Sequence, residues 1–338
     1  MNQKKEIPIR FFELQKKKKN YDLITKKGTL KKVLKKNEVL VKNLYSSINY
    51  RDHLAFKGNH AIARKYPYIP GVDFVGYVMH SNDKKFSKGQ RVGAFSLPNN
   101  QASPGAWSSH LKINTKFLFK LKSDWSYQDV ITIGTAGLAA ASGINLIKKN
   151  VDHKKKVISI VITGASGGVG SIACLIAKSL NWKITVVSRF PKKFNLFFKF
   201  LGVDKVLNKD DFISKSQMSI LPQEFDCAID CVGGKYLTNT LKRLKDNGVC
   251  SLSGMIDGRN LEDLTVIPFL IRGISLMGTG SEVLNKTKKN NSFKIINDLI
   301  TSGKLKKIRK IIKVNKLKKI LSNWDILNKK GRFIIKIN

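Results

Sequence analysis

Residues 160–171 read IVITGASGGVGS: an apolar run breaks into small residues and glycines, then resumes through Ile172, Ala173, Cys174, Leu175 and Ile176. The run over 157–163 is nearly continuous, as in a strand buried on both faces of a parallel sheet. Val169, Ile172, Ile176 and Leu180 then recur at helical spacing. A second apolar run at 184–187 completes a βαβ unit of about 30 residues. Glycines 164, 167, 168 and 170 let the turn tighten and the backbone approach an anion, while the helix N-terminus offers free N–H groups and a favourable dipole. In this context the stretch reads as a cradle for the pyrophosphate of a dinucleotide rather than a plain βα turn. No Lys-Ser or Lys-Thr follows the glycines, which excludes a P-loop.

The second strand ends VVSRF, placing Ser188 and Arg189 where NAD-binding units carry Asp or Glu for the ribose 2′-hydroxyl. A carboxylate there would repel a 2′-phosphate; a hydroxyl and a guanidinium can bind it. NADPH is therefore the expected cofactor, the alternative being an Arg exposed in a loop.

The rest of the 338-residue chain organises around that unit. Roughly the first 130 residues alternate short apolar stretches with turn residues and read as an all-β unit. Further strands are expected at 205–207, 225–229, 248–251 and 274–277, and the closing GRFIIKIN as a strand returning to the β unit. The result is an α/β chain whose divisions fall at 1–127 with 282–338, and 128–281. No run of about 20 apolar residues predicts a membrane span. The lysine-bearing N-terminus lacks the apolar core of a secretory signal. Four scattered cysteines form no disulfide framework, so a reduced, cytoplasmic setting is expected.

The formal charge of +40 suggests nucleic acid at first sight. Only ten of the 63 basic residues are Arg, however, and the lysines fall between apolar segments along the whole chain. No reading motif or Cys/His finger accompanies them, so a compositional drift toward lysine explains the charge better than a nucleic-acid groove. A positive surface still attracts a polyanionic substrate.

TGASGGVG also satisfies the short-chain dehydrogenase fingerprint, but that family needs a Tyr-x-x-x-Lys downstream. The only later tyrosine, Tyr236, is followed four residues on by Thr240. With the glycines in mid-chain behind a β unit, the sequence instead resembles the medium-chain dehydrogenase/reductase superfamily. Zinc-dependent members carry Gly-His-Glu where this chain has Gly71-Val72-Asp73, and a lobe of four close cysteines that is missing here. The five histidines show no ligand pattern, and His53 is expected to be solvated or packed. The resemblance thus points to the zinc-free quinone-oxidoreductase branch. Within it, SSINYRD (46–52), YPYIPGVDFVG (66–76), IGTAGLAA (133–140), VITGASGGVGS (161–171), IPFLIRGISLMG (267–278) and the terminal GRFIIKIN resemble the NADPH-dependent acrylyl-CoA reductases.

That resemblance implies a GroES-like β-rich catalytic domain, a Rossmann cofactor domain with a doubly wound parallel sheet, and a homodimer pairing Rossmann edges. It implies reduction of the carbon–carbon double bond of an α,β-unsaturated acyl-CoA; a quinone or general enone reductase is the alternative. Candidate catalytic residues are Tyr50, Asn49 and Asp73. Tyr50 could bind cofactor, donate to an enolate or only pack, and Asp73 could be structural. Cofactor contacts carry over to Tyr50, Ser166, Gly167, Gly168, Val169, Ser188, Arg189, Met255, Leu270, Ser281 and Arg332, the last with a surface position as its alternative. No metal, nucleic acid or membrane partner is expected.

Overall fold

The computed structural model describes residues 6–18, 20–98, 105–151, 156–213, 218–280, 284–324 and 329–337. In its first third the elements are β1 (Glu6–Lys17), β2 (Asn20–Lys31), β3 (Glu38–Ile48), α1 (Tyr50–Phe56), β4 (Phe74–Ser81), β5 (Arg91–Ala94), β6 (His110–Asn114) and β7 (Phe119–Lys120). Then follow α2 (Tyr127–Asn150), β8 (Ser159–Thr163), α3 (Gly168–Ser179), β9 (Lys183–Ser188), α4 (Asn195–Leu201), β10 (Lys205–Asn208), α5 (Lys209–Phe212), β11 (Phe225–Asp230) and α6 (Gly234–Leu241). The chain continues with β12 (Leu244–Leu252), α7 (Ile267–Arg272), β13 (Ser275–Gly278), α8 (Lys286–Thr301), α9 (Leu305–Ile308), β14 (Arg309–Ile312), α10 (Leu317–Ser322) and β15 (Arg332–Lys336).

Two compact units result: Met1–Thr135 with Ile300–Asn328 and Arg332–Asn338, and Ala136–Leu299 with Lys329–Gly331. These divisions fall inside α2 and α8, at 135/136 and 299/300, and not at the 127/128 and 281/282 of the sequence pattern.

In the second unit the sheet order is β10-β9-β8-β11-β12-β13, and every neighbouring pair is parallel. Numbered along the chain, that is strand order 3-2-1-4-5-6, the doubly wound Rossmann arrangement with its switch point between β8 and β11. The continuous apolar run is explained by position: Ile160, Val161 and Ile162 of central β8 are all fully buried. Each such side chain contributes about 1.5–3 kcal/mol relative to exposure. One face packs Val161, Val187, Ala228 and Cys250 with Tyr236, Leu237 and Leu241 of α6. Helix α7 opens with Pro268 in its first turn and stops at Gly273, whose left-handed φ of 59° a Cβ would disfavour.

The first unit holds a seven-stranded sheet, in which β15 lies between β14 (parallel) and β3 (antiparallel), and β3 also pairs β4 and β6. A separate hairpin of two twelve-residue strands, β1–β2, anchors there through Phe12 N donating to Trp107 O and Leu14 N to Tyr68 O. Phe12, Leu14 and Trp107 form a core with Ile48, Ile335 and Ile337.

Helix α2 corrects one expectation: it is long and apolar enough to cross a bilayer by composition, although strictly consecutive apolar residues are lacking. Of that stretch 83% is buried inside the protein, as in a core helix, and Gly134 breaks its helical geometry (φ 50°, ψ −160°).

Candidate functional site

The glycine loop follows β8 at the switch point, where ligands of such sheets bind. Each glycine has its own reason. Gly164 takes a left-handed φ of 62°. At Gly170 a Cβ would lie 2.6 Å from both Ala165 Cα and Gly164 O, so the loop can close only without one. Gly167 is the N-cap of α3 in ordinary extended backbone, and its lack of a side chain leaves the helix start uncapped. The first-turn N–H groups have no intrahelical partners, so this is a site for negative charge. Ser166, Gly167, Gly168 and Val169 are half-buried around it, and Ser166 O accepts from Gly331 N at 2.8 Å.

The loop is braced from beneath. Thr163 Oγ1 donates to Asp230 Oδ2 (2.7 Å) and accepts from Cys231 N, tying the ends of β8 and β11 together. Asp230 Oδ1 accepts from the N–H groups of Val232 and Gly233. Burial raises the Asp230 carboxyl above the usual carboxylate range, against the pull of these donors.

At the end of β9, Ser188 is buried and its hydroxyl accepts from Phe190 N, while Arg189 is exposed over the Phe190 ring. Beside them opens a cavity of about 500 Å³ lined by Phe190, Pro191, Lys192, Lys193, Val206, Asn208 and Asp211. Lys192 and Lys193 were missed in the sequence because they look like two more of its many lysines; position after the second strand was the available signal. An uncapped helix start, a loop only glycines can close and a cation-bearing cavity at the end of β9 fit a phosphorylated dinucleotide. Met255 follows β12 and lies against Gly233, whose Cβ would be 3.0 Å from Met255 Cα. Leu270 stands on α7, 75% exposed and two residues before Arg272, whose guanidinium caps the amino-terminal end of β12 through Leu244 O. Ser281 lies outside the described residues.

In the first unit the remaining candidates converge on Asp73, which is fully buried just before β4. Its Oδ1 accepts from Ser96 N (3.1 Å) and Thr135 Oγ1. Its Oδ2 accepts from Ser47 Oγ (2.5 Å), Thr135 N (3.0 Å) and Asn49 Nδ2 (3.2 Å), with Arg332 Nη2 at 4.0 Å. Arg332 is buried, not the surface residue its alternative reading allowed: Nε donates to Thr132 O and Nη1 to Asn49 Oδ1. Burial works to lower its pKa, and Asp73 opposes that. Sequence reasoning missed Ser47, Ser96 and Thr135, since single small polar residues on a strand, after a strand and in a helix share no period.

Asn49 is the N-cap of α1, and its N–H donates to Asp52 Oδ2 (2.7 Å). Asp52 also accepts from Gly71 N, yet burial pushes it up to about 7. Tyr50 begins α1, and its ring stacks on His53 (centroids 5.6 Å apart) and tilts against Trp324 (6.4 Å). His53 is buried rather than solvated, its Nδ1 2.6 Å from Leu321 O. Of the three catalytic candidates, Asp73 and the Asn49 amide are therefore taken up by protein partners.

A metal does not fit these residues. Asp73 is saturated by hydrogen-bond donors and faces a guanidinium, and His53 is turned to a backbone carbonyl. No group of three or more His, Cys, Asp or Glu that could hold an ion occurs among the described residues.

Residues 35–123 match the alcohol dehydrogenase GroES-like domain and residues 168–296 the family described as zinc-binding dehydrogenase. The chain is 34% identical over 73% of its length to "Putative quinone oxidoreductase YhfP" of Bacillus subtilis, covering 74% of that protein. A structure of yhfP with NAD bound superposes with a TM-score of 0.87 over 98% of this chain and 99% of that one, at 27% identity. It is 29% identical over 72% of its length to acrylyl-CoA reductase AcuI of Ruegeria pomeroyi, covering 73% of it. The yhdH oxidoreductase of Salmonella enterica, in complex with NADP, has a TM-score of 0.86 at 26% identity, over 97% of this chain and all of that one. The chain is an oxidoreductase-fold protein that belongs to the medium-chain dehydrogenase/reductase superfamily.

Proposed function

We propose that this chain is an NADPH-dependent, zinc-independent reductase of α,β-unsaturated acyl-CoA thioesters, with acrylyl-CoA as the leading substrate. The observation that carries the cofactor assignment is the end of β9: a buried hydroxyl and an exposed guanidinium over the Phe190 ring, with Lys192 and Lys193 beside Asp211 on the adjoining cavity and no carboxylate at Ser188 or Arg189. These groups favour a 2′-phosphate over a ribose hydroxyl. The relatives named acrylyl-CoA reductase support the substrate class. The relative named as a quinone oxidoreductase supports a second reading, in which a quinone or free enone is the acceptor.

When bound, the cofactor supplies hydride from its nicotinamide C4 to the β-carbon of the substrate. The chain's own part is to hold and orient. Helix α3 and the Ser166–Val169 turn would bind the pyrophosphate through backbone N–H groups. Negative charge developing on the thioester oxygen needs a preorganised donor, for which Tyr50 is our candidate, and the α-carbon then takes a proton. The proposal extends to a homodimer pairing the outer strand β13, which leaves one sheet edge unpaired within the chain, and to a reducing cytoplasm, supported by four buried free cysteines.

Oxidation of NADPH followed at 340 nm tests the reading, with acrylyl-CoA and 1,4-benzoquinone as parallel acceptors and NADH as control. Turnover with NADPH and acrylyl-CoA is expected; activity with quinone alone moves the substrate to the second reading, and silence with both refutes it. Arg189→Ala should weaken NADPH about 10- to 100-fold, the loss of one charge-assisted contact, while sparing NADH. Equal effects on both cofactors would sink the 2′-phosphate assignment. Tyr50→Phe should lower kcat, and unchanged kcat and KM would remove its hydroxyl from the reaction.

A further inference from the structure

A buried ion pair is a poor source of stability, because desolvation cancels much of the attraction; what it fixes well is geometry. The pair Asp73–Arg332 gathers donors from four parts of the first unit: Ser47 at the end of β3, Asn49 before α1, Ser96 after β5 and Thr135 in α2. Its focus is the Asn49 side chain. That amide donates to Ser47 Oγ (2.8 Å) and Asp73 Oδ2 (3.2 Å), and its oxygen accepts from Arg332 Nη1 (3.2 Å). All three contacts belong to one network, and the main chain of Asn49 is held separately by Asp52. The residue that begins α1 directly after this clamp is Tyr50.

A second observation is independent of these hydrogen bonds. At Gly134 the backbone has a positive φ of 50°, and a Cβ would lie 2.7 Å from Asp73 Oδ2 and 2.9 Å from Arg332 Nη2. The break in α2 is thus packed directly onto the pair. With Asp73 wholly enclosed and Arg332 3% exposed, neither side chain is open to a substrate.

We infer that Asp73 and Arg332 are positioning residues that act through Asn49: locking its amide sets the first turn of α1 and so the direction of the Tyr50 ring. This rests on the reading of Tyr50 as the group that meets the substrate. It assigns a role to the carboxylate standing where zinc enzymes place a glutamate, and that role is to hold a protein donor set. It also takes Arg332 out of the cofactor contacts and places it in the scaffold of the first unit.

The test uses the full-length chain with Asp73→Asn, Arg332→Lys and Ser47→Ala. The last removes only one hydroxyl of the network and keeps the question answerable if the first two fail to fold. Amide hydrogen exchange is read at residues 49–53, and kcat and KM with acrylyl-CoA are measured with and without Tyr50→Phe. Asp73→Asn and Arg332→Lys should speed exchange in the first turn of α1 by about tenfold or more while β3 and β4 stay protected. They should lower kcat about 30- to 100-fold, the effect of a misplacement near 1 Å, with KM and NADPH affinity little changed. Ser47→Ala should move both in the same direction, by about threefold. In the Tyr50→Phe background the further loss of kcat should shrink to about threefold or less, because the group being aimed is already gone.

Unchanged exchange in folded variants overturns the inference, as does a full multiplicative loss on top of Tyr50→Phe. A wild-type chain that reduces no acceptor refutes the proposed reaction instead. The exchange measurement then decides alone whether the pair sets the first turn of α1.

Discussion

The glycine loop makes two separable demands, and two single methyl groups distinguish them. In Gly170→Ala the new Cβ would stand 2.6 Å from Ala165 Cα and from Gly164 O, both backbone atoms with no rotamer to change. Ordinary contact begins near 3.4 Å. The turn must therefore open by most of an ångström. Such overpacking costs about 1–3 kcal/mol, or about 3–10 °C of Tm for a unit of this size. The opened turn also misdirects the N–H groups of the α3 start. Losing one charge-assisted hydrogen bond of about 1.5–3 kcal/mol weakens NADPH about 10- to 100-fold. Gly167→Ala differs: φ is −82°, and the nearest atom to its Cβ is Gly164 O at 3.2 Å. Its folding cost stays near the 0.5–1 kcal/mol or so of an N-cap change, while the methyl stands where the phosphate must approach. Differential scanning fluorimetry and isothermal titration with NADPH read the two quantities. The expected pattern is a large loss of both for Gly170→Ala, and for Gly167→Ala a loss of affinity with Tm lowered by no more than about 2–4 °C. If Gly170→Ala keeps its Tm and binds NADPH within about threefold of wild type, the argument that only a glycine closes this turn is wrong.

Arg272 donates to three buried carbonyls, those of Leu221, Lys242 and Leu244, so Arg272→Ala should cost about 3–5 kcal/mol in urea unfolding, as several acceptors lose their donor together. A loss below about 1 kcal/mol would show that water replaces it. Asp52, raised by burial to about 7, makes stability depend on pH. Its contribution is whole below its unfolded pKa of about 3.9 and is lost as pH rises toward 7, by up to about 4 kcal/mol. The stability difference between wild type and Asp52→Asn should therefore shift against wild type between pH 4 and pH 7.5; parallel pH profiles would refute it.

The cofactor unit was legible because its signals are periodic. The apolar run of β8, the helical spacing after Gly170 and the glycine turn each carry their own rule, and the six-stranded order followed. Ser188 and Arg189 could be found by counting from the glycines. The first unit was legible only in class. The long hairpin β1–β2 falls within the stretch read as all-β, but nothing in its pattern tells that Phe12 and Leu14 are the side chains it buries. Asp73 was singled out through resemblance, but its partners come from positions 47, 49, 96, 135 and 332, joined by the fold and by nothing in the spacing. Arg332 illustrates the limit: a cation in a terminal strand has no sequence feature that separates a surface residue from the buried half of an ion pair.

The place of β15 between β14 and β3 also orders events in time. An inner strand of the first unit's sheet is made some 280 residues after its neighbour β3, as the pairing Phe333↔Ile48 shows. The strands and helices of the second unit emerge from the ribosome before it and can assemble from near-neighbour segments. The unit translated first is the one finished last: until Arg332 arrives, Asp73 has no guanidinium beside it, and the edge of β3 stays open to foreign strands. Contacts of such sequence separation close late on loop-entropy grounds, and the interval before closure is the one in which a chaperone has most to protect.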